Sequence, residues 1–141
     1  MKPGLLVLTH GRLAADLVDA LRRIVGEVDD LRALAMAWDD DLGATKEALE
    51  AQVQGLDRGS GVLILTDMFG GTPSNLAMTL HDPGKVEIVT GVNLPMLIKY
   101  VGQDETIDLS ELANVVADQG RAAIHVASEL LDREGRVLEE A

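Results

Sequence analysis

The 141-residue chain carries 24 acidic and 12 basic residues, for a formal net charge of −12, and no cysteine. The charge argues against nucleic acid and anionic membranes and favours a neutral or basic protein partner, and the lack of cysteine excludes disulfides and thiolate chemistry. With 47% hydrophobic residues and a length suited to one domain, the chain reads as globular.

The N-terminal run Met1-Lys2-Pro3-Gly4 leads into four apolar residues, too few for a signal peptide. No apolar stretch approaches the roughly 18 residues of a membrane span. A cytoplasmic location is therefore expected. The charge is uneven: residues 103–141 hold 10 acids and 3 bases, so −7 of the −12 lies there.

Residues 5–8 form a short apolar strand ending in Thr9-His10-Gly11. Leu13, Leu17, Val18, Leu21 and Ile24 then recur at helical spacing, with Asp16, Asp19, Arg22 and Arg23 on the other face, until Gly26 stops the helix. Leu31 to Met36 reads as a second, Ala-rich strand. Trp38, read as a packing residue, precedes Asp39-Asp40-Asp41, a solvated turn that caps a helix over about residues 42–54. Gly59-Ser60-Gly61 turns into residues 62–65, an apolar run that reads as a strand buried on both faces.

That strand ends in Thr66-Asp67, and a Gly70-Gly71 turn follows. Thr72-Pro73-Ser74 opens a helix reaching about His81, with Thr72 suited to the N-cap and Pro73 to the first helical position. After the turn Asp82-Pro83-Gly84, residues 85–89 form a fourth strand ending in Thr90-Gly91, and residues 95–100 a helix. Asp108 and Glu111 resemble a capping box at the start of a last long helix carrying Leu109, Leu112, Val116, Ile124 and Leu131, which Gly120 interrupts.

Strands alternating with helices predict an α/β fold: a mainly parallel sheet between helical layers, as one domain with a core over about 4–120 and a helical or edge segment over 121–141. Three of the four strands end in a polar residue followed by glycine, and in a parallel sheet these ends share one edge. His10, Asp67 and Thr90 can thus be neighbours. A carboxylate beside a histidine orients it and leaves the far ring nitrogen as a nucleophile. The plainer alternative is a histidine capping the first helix and an aspartate closing a turn. The helix start after Gly70-Gly71 offers free N–H groups to an anion such as phosphate. No metal or cofactor is expected. His81 is expected to cap carbonyls at a helix end, His125 to lie at the surface or a subunit contact, and Asn93 and Pro95 to shape the loop beside the site.

Thr9-His10-Gly11, residues 65–77 (LTDMFGGTPSNLA) and residues 90–97 (TGVNLPML) resemble the mannose-class IIA proteins of the bacterial sugar phosphotransferase system, in register over about residues 4–120. The resemblance implies that His10 accepts a phosphoryl group from the phosphocarrier protein HPr, that Asp67 orients it, and that the backbone at Gly71 and Thr72 holds the phosphate. Thr9, Gly11, Thr66, Phe69, Gly70, Ser74 and Asn93 would support the site or meet a partner. It also implies transfer onward to a IIB protein, sheet order 2-1-3-4, and a homodimer exchanging a fifth, antiparallel edge strand, which should follow Gly120.

Phe69 stands where some relatives carry tryptophan and offers an exposed aromatic for docking. No IIB-like segment follows within the sequence, so the acceptor is expected to be separate, or absent. A signalling module, in which phosphorylation of His10 gates binding to a regulator without sugar transport, is the alternative. A receiver domain would need an acidic pair after the first strand, where this chain has Thr9-His10, and no GxxxxGK[ST] or GxGxxG motif supports nucleotide binding. A dihydroxyacetone-kinase phosphoryl-transfer subunit would share the histidine chemistry, but the sequence TDMFGGTPSN favours the mannose class.

Overall fold

A computed structural model of the protein describes residues 1–138. Its core is a four-stranded parallel sheet, order β2-β1-β3-β4, built from β1 (Gly4–His10), β2 (Leu31–Met36), β3 (Val62–Thr66) and β4 (Val86–Thr90). The helices are α1 (Leu13–Val25), α2 (Leu42–Leu56), α3 (Thr72–Met78), α4 (Leu94–Val101), α5 (Leu109–Ala122) and a short α6 (Ala127–Leu130).

The central strands are apolar on both faces, and their period-2 alternation divides them between two cores. Leu5, Val7, Leu63 and Leu65 face α1, α4 and α5. Leu6, Leu8, Val62 and Ile64 face α2 and α3. This is the arrangement that right-handed crossovers require. The connection from β1 to β2 runs one way along the sheet and those from β2 to β3 and β3 to β4 the other, so α1 lies on one face and α2 and α3 on the opposite one. The winding reverses between β1 and β3, and the crevice at the carboxyl ends of those strands is where an open sheet of this kind receives its ligand.

Caps set the helix starts. Asp41 Oδ1 accepts from the N–H groups of Gly43 and Ala44, and Asp108 Oδ1 from that of Glu111, as the acidic turn and the capping pattern predict. The start of α1 is served by Thr9, whose buried Oγ1 accepts from Ala14 N–H at 2.6 Å.

The structure corrects five expectations. The N-cap of α3 is Gly71, and Thr72 is already helical. Helix α3 ends at Met78, because Thr79, Leu80 and His81 donate their N–H groups three residues back and tighten the chain into turns. His81 therefore caps no helix end; its Nε2 lies 3.4 Å from Glu87 Oε1. Gly120 does not interrupt α5. A Cβ there would lie 2.6 Å from Met96 Sδ, so glycine serves close packing between α5 and α4. The helix ends at Ala122 and does not reach Ile124 or Leu131.

Beyond α5 the chain forms α6 and a small turn in which Leu131 bridges Val137 in antiparallel fashion. The turn is held by the Asp132 carboxylate, which accepts from the N–H groups of Glu134 and Arg136. Among the described residues no fifth strand joins the sheet. Residues 139–141 of the segment read as helical or edge lie outside the described residues.

Candidate functional site

The parallel register brings the expected residues to one edge. His10 closes β1 and lies beside Met36 of β2, while Leu8 pairs with Thr66, the last residue of β3. Asp67 thus emerges next to His10. Its Oδ2 accepts from the His10 backbone N–H at 3.1 Å and meets His10 Nδ1 at 2.9 Å, while its Oδ1 accepts from Met68 N–H at 3.1 Å. Burial pushes the Asp67 carboxyl up, but the hydrogen bonds from the His10 ring and backbone, with the attraction of the ring, outweigh it and hold the group below the usual carboxylate range.

An ionised carboxylate can only accept, so Nδ1 carries the hydrogen and Nε2 presents a lone pair. The helix-capping alternative for His10 does not apply, since Thr9 occupies that role. The turn-closing alternative for Asp67 is met in part by its bond to Met68 N–H, alongside its engagement of the histidine.

The loop from β3 to α3 is shaped to approach the free side of the ring. Gly70 has φ +91°, which favours glycine. A Cβ on Gly71 would lie 2.6 Å from His10 Cε1 and 3.0 Å from Nε2, so only glycine lets the backbone come this close. Buried Ser74 ties the turn from below: its Oγ accepts from Gly70 N–H and donates to the Gly71 carbonyl, both at 3.0 Å. The N–H groups of Gly71 and Thr72 have no acceptor among the described residues.

The remaining residues divide between site and scaffold. Gly11, with φ +53°, donates its N–H to the Met36 carbonyl at 2.7 Å and anchors β1 to the end of β2. The Thr66 carbonyl accepts from both Gly91 and Val92, and its buried hydroxyl has no protein partner among the described residues. Asn93 is occupied elsewhere: its Oδ1 caps α4 through Met96 N–H and its Nδ2 donates to the Gly120 carbonyl. Thr90 pairs with Thr66 one strand further out and makes no side-chain hydrogen bond to the His10–Asp67 pair. His125 is exposed in the segment after α5. Among the described residues no group of three or more His, Asp or Glu side chains is placed to hold a metal ion.

Trp38 departs from its expected packing role. It is 83% exposed, and its indole stacks on the His10 ring with centroids 5.2 Å apart and planes inclined by 24°. Exposed Leu42 lines the cleft beside His10, and Met68 and Phe69 are exposed on the loop after Asp67, so this edge of the sheet carries an apolar rim. The end of β2 reaches the same edge as His10, Asp67 and Thr90, and it leads to Trp38.

The sequence matches the model of the EIIA-man family, described as PTS system fructose IIA component, over residues 4–117. It is 29% identical over 126 residues to the PTS system mannose-specific EIIAB component of Escherichia coli (strain K12), covering 88% of this chain and 39% of that protein. The chain thus spans about two fifths of that relative. It is 26% identical to the PTS system fructose-specific EIIA component of Bacillus subtilis (strain 168), covering 92% of this chain and 90% of that protein. The solved mannose/sorbose specific IIA subunit of the phosphotransferase system from Enterococcus faecalis superposes with a TM-score of 0.79 at 33% identity, covering 89% of this chain and 95% of that one. The chain belongs to the EIIA-man family of phosphotransferase-system IIA components.

Proposed function

We propose that the protein carries a phosphoryl group on His10 Nε2, taking it from HPr and passing it to a IIB protein. The observation that carries this reading is the double engagement of Asp67 Oδ2 with the His10 ring and backbone, which leaves Nε2 facing Gly71. Family membership supports a role in sugar phosphotransfer.

In the transfer, the Nε2 lone pair attacks phosphorus in line as the bond to the donor breaks, so that one N–P bond forms while the donor recovers its electron pair. With Nδ1 still protonated, the ring becomes cationic, and Asp67 stabilises that charge. A loose phosphoryl transition state asks mainly for positioning and charge stabilisation. The unpaired N–H groups of Gly71 and Thr72 would supply the latter at the phosphoryl oxygens. Thr9, Gly11, Thr66, Gly70 and Ser74 act by holding these groups in place.

The rim of Phe69, Met68, Trp38 and Leu42 suits docking of a protein surface, and the net charge of −12 suits a partner with a basic face. A cytoplasmic location fits this role; no helix among the described residues is long and apolar enough to cross a membrane. We also propose a homodimer. After α5 the C-terminal segment exposes Ile124, which shares a cleft with the end of β4, and Val126, Val137 and Leu138, apolar surface that a second copy would cover. Sedimentation at micromolar concentration should give a dimer, and a monomer would contradict it.

The direct test is labelling with phosphoenolpyruvate, enzyme I and HPr. Acid-labile label on the wild type and none on His10→Ala is expected, whereas label surviving in His10→Ala would move the acceptor elsewhere. Label that no IIB protein accepts would favour the signalling module. Raising salt should weaken HPr binding, because the attraction is charge-steered; affinity unchanged by salt would contradict that steering.

A further inference from the structure

Burial does not hold Trp38 in place, because the side chain is 83% exposed. The backbone beneath it does. Ala37 N–H donates to Asp40 Oδ2 at 2.8 Å, and Asp40 N–H donates to the Ala37 carbonyl at 3.2 Å, tying residues 37–40 into a turn. The Gly11 N–H bond to the Met36 carbonyl fixes that turn against the end of β1. The indole is thereby set over the imidazole, and the two rings share a cleft of about 80 Å³ with Asp40, Leu42, Thr72 and Pro73.

Asp67 grips the imidazole at one nitrogen only, and a hydrogen bond to Nδ1 leaves the ring plane free to twist about it. Two other contacts restrict that twist: the Gly71 backbone at the Cε1–Nε2 edge and the indole across the ring face. We propose that Trp38 is a positioning residue and a lid. It holds the plane of the His10 ring so that Nε2 points along the transfer line, and it closes one face of the ring to water and small electrophiles. This deepens the reading of His10 as the phosphoryl acceptor and rests on it. The lid itself is a property of the unphosphorylated protein.

The test uses two readouts on the wild type, Trp38→Ala and Trp38→Phe. The first is the rate at which diethyl pyrocarbonate modifies His10, followed by mass spectrometry, with exposed His125 as internal reference. Loss of a stacked ring should raise the His10 rate by about three- to tenfold in Trp38→Ala, with Trp38→Phe near wild type. The His125 rate should stay the same in all three. Equal His10 rates in wild type and Trp38→Ala would overturn the lid.

The second readout is phosphorylation by HPr and the lifetime of the label. Trp38→Ala should label more slowly and lose label several times faster, with Trp38→Phe restoring both. Unchanged labelling and lifetime would overturn the positioning role. A wild type protected from the reagent yet never labelled would overturn the acceptor reading and leave the lid standing.

Discussion

The two ends of the sheet use polar groups in opposite ways. At the amino end, a hollow of about 620 Å³ is lined by Met1, Ser60, Glu105 and Asp108, among others. Polar groups at this end of the sheet are paired with one another. Tyr100 donates its hydroxyl to the Pro3 carbonyl at 2.6 Å, Asp57 accepts from Gly59 and Gly61, Asp104 from Thr106, and Asp108 caps α5. At the carboxyl end the cleft beside His10 is only about 80 Å³, but it has an oriented ring nitrogen, backbone N–H groups without acceptors and an exposed apolar rim. On the proposed function the chemistry sits not in the larger hollow but where unspent donors and a lone pair converge on one point.

Substitutions at the two ends should have opposite consequences for transfer and stability. Asp67→Asn should have the largest effect, lowering the phosphoryl-transfer rate by about 100-fold or more, since an amide no longer enforces the Nδ1–H tautomer or stabilises the cationic ring. Its stability should fall by only about 1 kcal/mol in denaturant unfolding, because the amide oxygen still accepts a hydrogen bond. A wild-type transfer rate would remove Asp67 from the mechanism. Gly71→Ala comes next: the added methyl must displace the His10 ring, and a shift near 1 Å costs roughly 10- to 100-fold in transfer. Wild-type kinetics in this variant would show that the close approach is incidental.

At the other end, Tyr100→Phe orphans the buried Pro3 carbonyl and should cost about 1–2 kcal/mol in stability while leaving transfer rates unchanged. Slowed transfer there would blur the distinction between the two ends.

The smallest effect concerns acid. The folded-state pKa of Asp67 is depressed, so its contribution to stability is fully present above the unfolded carboxylate value near 4 and is lost as pH falls through the folded value. The stability gap between wild type and Asp67→Asn should therefore narrow as pH falls below about 4. A gap that did not narrow there would contradict the depressed pKa.

Much of this arrangement was legible in the sequence because it rests on local and periodic signals. Apolar runs such as residues 62–65 announce buried strands, Asp41 and Asp108 announce helix starts, and a parallel sheet gathers strand ends without any knowledge of contacts. Three of the misreadings share one cause: glycine and tryptophan carry several meanings that only tertiary packing separates. Gly120 looked like a break, yet its missing Cβ makes room for Met96. Gly71 takes the cap position that Thr72's hydroxyl suggested, and its lack of a side chain is what admits His10. Trp38 looked like core material, and its partner lies 28 positions away on another strand.

The central claim is that Asp67 leaves Nε2 of His10 as the single nucleophile. The most direct test is to phosphorylate the ¹⁵N-labelled protein and determine by ¹⁵N–³¹P correlated NMR which ring nitrogen bears phosphorus. Phosphorus on Nε2 of His10 with Nδ1 still protonated is expected. Phosphorus on Nδ1, or on another residue, would contradict it.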